Sequence, residues 1–206
     1  MIAIIDYDVG NLAAVANMLR RLGHDCKITH NPEQIESAHK IILPGNGSFD
    51  TCMKNLKNTN LISLLENKIL KNATPLLGIC VGAQILGYNS EEGNELGLGW
   101  VDMTVKRLPE VVGLCVPNMG WRKSIVNFPN HYLLKHMEED AKFYFVHSYY
   151  MNPTYQENVL MTSNHGINFA AAIIQKNIVG LQFHPEKSHR YGKQLLNAFA
   201  SGDLIG

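Results

Sequence analysis

The sequence carries no excess of charge of either sign. Lysine and arginine together number 18, and so do aspartate and glutamate. Such a chain projects no strong global field, which disfavours a nucleic-acid groove or an anionic membrane surface as partner. No apolar run approaches the roughly 18 residues of a membrane-spanning helix. The stretch Met1 to Asp6 lacks the basic region of a signal peptide and reads as a first strand. Cysteine is sparse: Cys26, Cys52, Cys80 and Cys115 lie far apart with no C-x-x-C pair. That spacing gives neither a disulfide framework nor a zinc site, and it fits a cytoplasmic protein with no metal and no cofactor. The phosphate-loop pattern G-x-x-x-x-G-K-[ST] is missing, as are internal repeats, low-complexity tracts and linkers. What remains, with 46% apolar and 17% charged residues, is the composition of one ordinary folded domain over residues 1–206.

The order of elements predicts an α/β fold. Ile2 to Ile5 is a buried strand, and Leu12, Val15, Ala16, Leu19 and Leu22 recur at helical spacing between a candidate cap, Asn11, and a stop, Gly23. Asp25 to Thr29 and Lys40 to Leu43 are further strands, with a turn at Asn31-Pro32. Phe49 to Leu70 holds one or two helices, Pro75 to Ile79 is a strand, and a helix follows from Val81 to about Tyr88. This alternation predicts a mostly parallel sheet with helices on both faces. Right-handed crossovers then put Asp6–Gly10, Pro44–Ser48 and Cys80 on one rim, where such sheets bind ligands. After a polar loop, Asn89 to Leu98, strands follow without long helices: Gly99–Lys106, Phe143–His147, Val159–Thr162, and a hairpin turning at Lys176-Asn177. The second half is therefore mixed or antiparallel. Arg190 to Ala200 closes the chain as an amphipathic helix.

The chemistry centres on Gly78-Ile79-Cys80-Val81-Gly82. This is the nucleophile-elbow pattern G-x-S-x-G with sulfur for oxygen. Small residues on either side let the chain fold back at a strained turn, and the helix start favours a thiolate. A buried cysteine in a plain turn is the competing reading. A catalytic cysteine needs a base and a group that orients it. His184 ends an apolar strand, Pro185 fixes the turn, and Glu186 can curl back to the imidazole. A surface histidine beside a solvated acid is the plain alternative. Pro44-Gly45-Asn46-Gly47 follows a strand and, with the N–H of Val81, can build an oxyanion hole; the alternative is an ordinary Gly-rich turn.

Pro44–Gly47, Gly78–Gln84 and Gln182-Phe183-His184-Pro185-Glu186, in that order, resemble the class I (triad) glutamine amidotransferases. Asp6–Asn11, Gly97–Gly99, Val116–Trp121 and Phe145–Tyr150 further resemble the glutaminase subunits of imidazole glycerol phosphate synthase. The resemblance spans nearly the whole chain. It implies a single flavodoxin-like amidotransferase domain, the catalytic triad Cys80, His184 and Glu186, and an oxyanion hole at Asn46, Gly47 and Val81. It further implies a glutamine pocket at Gly47, Gln84, His147, Ser148 and Tyr149. L-glutamine is the substrate, and a cyclase (synthase) subunit that receives the ammonia is the heterodimer partner. Asn118, Met119, Trp121, Arg122 and Tyr144 are the expected contacts with that partner, core packing being the alternative for Met119, Trp121 and Tyr144.

Five positions depart from the pattern of those subunits, two of them in the elbow, where Val81 and Ala83 stand for the commoner Leu and Met. Asn46 stands where an aliphatic residue is usual, Asn118 for a histidine, and Arg122 for an asparagine. None belongs to the triad, but the last two lie in the partner-facing stretch. A paralogue that feeds ammonia to a sugar amidotransferase in surface-polysaccharide synthesis fits these changes. A stand-alone thiol hydrolase and a catalytically silent binding domain are the remaining readings. Gln84 and the Pro44–Gly47 loop speak against the first of these, and the intact Cys80, His184 and Glu186 against the second.

Overall fold

A computed structural model describes residues 1–202. Its first half alternates strand and helix: β1 (Ile2–Ile5), α1 (Leu12–Arg21), β2 (Cys26–Thr29), α2 (Pro32–Ser37), β3 (Lys40–Gly45), α3 (Phe49–Asn58), α4 (Ile62–Glu66), β4 (Leu76–Cys80) and α5 (Val81–Gln84). A π-helical turn over Asn67–Lys71 prolongs α4. The second half is strand-rich: β5 (Met103–Arg107), β6 (Asn118–Val126), β7 (Lys142–His147), β8 (Tyr149–Pro153), β9 (Val159–His165), β10 (Ile167–Gln175), β11 (Ile178–Leu181) and a closing α6 (His189–Ser201). Nine strands form one sheet in the order β2-β1-β3-β4-β11-β10-β9-β6-β7. The first five run parallel and the rest antiparallel, as the two halves of the sequence predict. β5 and β8 pair as a separate antiparallel ribbon.

Several local readings change. Asn31-Pro32 is not a bare turn but the start of α2: the Asn31 side chain accepts from the N–H groups of Glu33 and Gln34, and Pro32 sits where a helix wastes no donor. Asn11 precedes α1 but makes no side-chain cap. The helix after Cys80 is a single turn ending at Gln84, not at Tyr88. In the β10–β11 hairpin, Lys176 rather than Asn177 takes the positive φ, at 55°. The Asn177 amide is committed elsewhere, donating to the carbonyls of Ile69 (2.9 Å) and Thr74 (2.8 Å). Cys26 and Cys52 are buried as expected, but Cys115 is exposed. β6 and β8 carry no strand signal that the alternation test picks up.

The rim forms because two backbones nearly touch. Gly45, at the end of β3, lies opposite Cys80 in the sheet register. A Cβ on Gly45 would sit 2.1 Å from the Gly82 nitrogen, and one on Gly82 would sit 2.0 Å from the Leu43 carbonyl oxygen. Both obstacles are backbone atoms that cannot swing away, so only glycine fits on either side. The loop after β1 joins the same rim. The Tyr7 hydroxyl donates to the Pro44 carbonyl, and the Gly10 N–H donates to Asn46 Oδ1 at 3.0 Å.

Gly45→Ala and Gly82→Ala are each expected to lower stability by about 3 kcal/mol or more, since overpacking here has no side chain to yield. Urea denaturation of the purified variants checks this. A midpoint unchanged for both would refute the close-contact account.

Candidate active site

Cys80 sits between β4 and α5 with φ 53° and ψ −116°, outside the regions that a side chain favours. A non-glycine residue is kept there only when its surroundings over-determine it. The Gly45–Gly82 contact and the pairing of β4 with β3 and β11 supply that determination. The elbow is thus the strained strand-to-helix turn that its sequence predicts. Cys52 is the useful contrast: burial pushes its thiol up to about 12, so it stays protonated.

β11 runs parallel to β4, and the chain leaves it at Leu181, opposite Ile79. Three residues later His184 is pinned by its backbone: its N–H donates to the Tyr144 carbonyl (2.9 Å), and its carbonyl accepts from the Ser188 hydroxyl (2.6 Å). Its Nδ1 meets Glu186 Oε1 at 2.9 Å. That leaves Nε2 for the Cys80 thiol, which acts on the imidazole electrostatically. Burial pulls the imidazole toward neutrality. The hydrogen bonds and charges of Cys80 and Glu186 outweigh this and raise its pKa to about 10. The carboxylate is itself enclosed, its side chain 1% exposed, so its charge acts with little screening. A charged imidazole held by a buried carboxylate and set beside a thiol places an acid ready to protonate a leaving group next to a candidate nucleophile.

A cavity of about 320 Å³ opens on the sulfur. Asn46, Gly47, Cys80, Val81, Gln84, His184, His147, Ser148 and Tyr149 form part of its wall. Every residue expected for the oxyanion hole and the pocket is therefore brought together. His147 lines the cavity with both ring nitrogens committed: Nδ1–H donates to the Tyr149 carbonyl (2.8 Å), and Nε2 accepts from the Asn118 amide (3.0 Å). Burial lowers its pKa to about 4, so the ring is neutral.

Three lining residues, Glu92, Pro117 and Val146, are not among those the sequence places in the pocket, and Glu92 is the one that carries charge. Glu92 lies in the polar loop after α5 and reaches the cavity because that loop and α3 exchange bonds. Asp50 of α3 accepts from the N–H groups of Glu95 (3.0 Å) and Asn94 (3.2 Å). Glu92 in return accepts from the Phe49 N–H at 2.8 Å. Burial raises the Glu92 carboxyl, more than the Phe49 bond lowers it, so a cation beside it would be welcome. The partners lie 43 positions apart, and nothing in the local pattern announces the pairing.

The chain matches the family model "Glutamine amidotransferase class-I" over residues 3–201. It belongs to that family. Among relatives, the amidotransferase is 45% identical over 199 residues to "Imidazole glycerol phosphate synthase subunit HisH 2" of Pseudomonas aeruginosa, covering 97% of this chain and 98% of the other. It is 44% identical over 199 residues to the HisH 2 subunit of Methanococcus maripaludis, again covering 97% and 98%. It is 41% identical over 204 residues to the HisH subunit of Leptospira borgpetersenii, covering 98% and 100%. Among solved structures, PurLQS from Thermotoga maritima superposes with TM-score 0.73 at 17% identity, covering 96% of both chains. The glutaminase domain of Trypanosoma brucei CTPS, solved with bound acivicin, gives 0.67 at 15% identity, covering 98% of this chain and 94% of that one. At those identities the structural likeness speaks for the fold.

The expected partner-facing residues divide. On β6 of the amidotransferase, Met119 (58% exposed) and Trp121 (40%) point outward together with Ile125. Asn118 does not belong with them: it is 0% exposed and turned to His147, because successive residues of a strand face opposite ways. Arg122 is half-buried, with Nη1 on the Trp121 carbonyl (3.2 Å). Tyr144 is also half-buried, meeting Trp121 edge-on at 6.1 Å with the Lys187 ammonium over its ring. His189 stacks flat on Trp121 at 5.2 Å, so the outward aromatic rests on the segment that follows Glu186.

NMR titration should find the His184 imidazolium surviving well above pH 8 and His147 neutral down to about pH 4. In Glu186→Gln the charge that favours the imidazolium is gone, so the His184 midpoint should drop by more than about 1 unit while His147 stays put. An unmoved His184 midpoint would remove Glu186 from the array.

Proposed function

We propose that the chain is a glutaminase subunit. It hydrolyses L-glutamine to glutamate and ammonia and passes the ammonia to a separate synthase, the cyclase of imidazole glycerol phosphate synthase. The observation that carries the chemistry is the Cys80–His184–Glu186 array at the mouth of one cavity. The Cys80 thiolate attacks the side-chain amide carbon. The oxyanion is held by the N–H of Val81 and a donor from Asn46 or Gly47, each such donor contributing about 3 kcal/mol. His184 protonates the departing nitrogen, ammonia leaves, and a glutamyl thioester remains. His184, now neutral, takes a proton from water; the hydroxide attacks the thioester carbonyl, and glutamate and the thiolate are released. Glu186 steadies the imidazolium in both halves of the cycle. Glu92 and the Gln84 side chain are suited to the cationic α-ammonium group of the substrate, and Ser148 and Tyr149 line the same cavity.

The choice of acceptor rests on the relatives, which match almost end to end and are named as subunits of imidazole glycerol phosphate synthase. The outward pair Met119 and Trp121 gives a docking face with an aromatic anchor. A second reading keeps the chemistry and changes the acceptor to a sugar amidotransferase. It rests on Arg122, which differs from the usual pattern in the stretch that also carries Met119 and Trp121.

The isolated chain is expected to have little glutaminase activity and the matching synthase to raise it strongly. Cys80→Ala should abolish glutamine-dependent synthesis in the complex and spare synthesis from free ammonium salts. Full glutamine-dependent turnover in that variant would sink the mechanism. Stimulation measured with each of the two candidate synthases decides the acceptor. Trp121→Ala should weaken binding to that synthase about 30-fold, as for an anchor worth about 2 kcal/mol. A dissociation constant within threefold of the parent would take Trp121 off the interface.

A further inference from the structure

Behind the cavity wall, buried amides bond in a single continuous chain. The Met151 N–H donates to Gln182 Oε1 at 3.3 Å. Gln84 Nε2 donates to that same oxygen at 3.1 Å and to the Tyr149 carbonyl at 2.9 Å. The Tyr149 carbonyl also accepts from His147 Nδ1, and His147 Nε2 accepts from Asn118 Nδ2. Two backbone groups decide the sense of every link. A backbone N–H can only donate, so the atom of Gln182 beside Met151 is its oxygen. A backbone carbonyl can only accept, so the atom of Gln84 beside Tyr149 is its nitrogen. Both hydrogens of the Gln84 amide are thereby used inside the protein. Its Oε1 has no partner among the described residues, and Gln84 is 2% exposed and lines the cavity. Gln182 and Asn118 are both 0% exposed, and neither lines the cavity.

We propose that Gln182 is a positioning residue for substrate selection, with Asn118 serving the far end of the same chain. By engaging the second hydrogen of the Gln84 amide, Gln182 keeps the Gln84 carbonyl oxygen toward the substrate. Glu92 lines the same cavity, and an acceptor oxygen from each of the two residues suits an ammonium group and disfavours a ligand without one. Without Gln182, one Gln84 hydrogen loses its partner, the amide rotates more freely, and its nitrogen is presented for part of the time. A presented N–H donor opposes an ammonium and costs the cavity its preference. This inference rests on the glutaminase reading and goes beyond it, because it assigns the preference to a residue that touches no substrate.

The test measures calorimetric binding to the Cys80→Ala protein, in which no turnover occurs. The ligands are L-glutamine and 4-carbamoylbutanoate, the same molecule lacking the α-amino group. The parent should bind L-glutamine at least tenfold more tightly than the analogue. Adding Gln182→Met should weaken L-glutamine about tenfold and leave the analogue within twofold, so that the preference collapses. Gln182→Glu, which retains an acceptor oxygen, should restore at least half of the preference on a logarithmic scale. Equal weakening of both ligands would mean a merely structural role and would overturn the proposal, as would unchanged binding of both. If Gln182→Met does not fold, Asn118→Leu carries the same comparison, and an unchanged preference there overturns the proposal. A parent that binds neither ligand would instead bring down the glutaminase reading, and this inference with it.

Discussion

Everything at the rim depends on how closely two stretches of bare backbone approach, Gly45 at the end of β3 and Gly82 at the start of α5. Side chains on either would hold the elbow away from the neighbouring strand. The contact fixes Cys80 at a positive φ and so aims the sulfur into the cavity. It also sets the Asn46–Gly47 loop beside Val81, the arrangement an oxyanion hole needs. His184 and Glu186 come to the same place by an independent route, β11, which pairs directly with β4. Cys80 and His184 therefore share a rigid floor of two adjacent strands, and their separation is set by sheet geometry rather than by loop flexibility.

The electrostatics follow from enclosure. Two buried imidazoles and the half-buried carboxyl of Glu92 line the cavity, and each is tuned by what it meets. His184 meets a thiol and a carboxylate and is held charged. His147 meets a carbonyl and an amide nitrogen and is held neutral. Glu92 meets one backbone N–H, which only partly compensates its burial. The same desolvation thus yields opposite outcomes for two histidines of one site, and the identity of their partners decides between them.

The meeting of Cys80, His184 and Glu186, the elbow and the parallel half of the sheet were legible in the sequence because their signals are local. Buried parallel strands read as unbroken apolar runs, and the motif residues are consecutive. What escaped had a physical reason in each case. β6 inverts the usual code: Asn118 and Ser124 are buried, while Met119, Trp121 and Ile125 face out. A test that equates apolar with inside fails on such a strand and mistakes Asn118 for a surface residue. α2 hid behind Asn31-Pro32, since a helix cap and a turn use the same residues. Lys176 took the strained turn position because the Asn177 amide was claimed by Ile69 and Thr74. The contribution of Glu92 depends on bonds to a helix more than 40 positions away, beyond the reach of any local pattern.

The two-residue period of β6 gives that strand two audiences. On its inward register Asn118 bonds to His147 of the pocket, and its outward residues belong to whatever lies against the molecule. Mutations on the outer register can accumulate without disturbing glutamine recognition, since they share a backbone with the pocket but no side-chain contacts with it. A duplicated gene could in this way change its ally by rewriting alternate letters of one short segment, inheriting the chemistry intact.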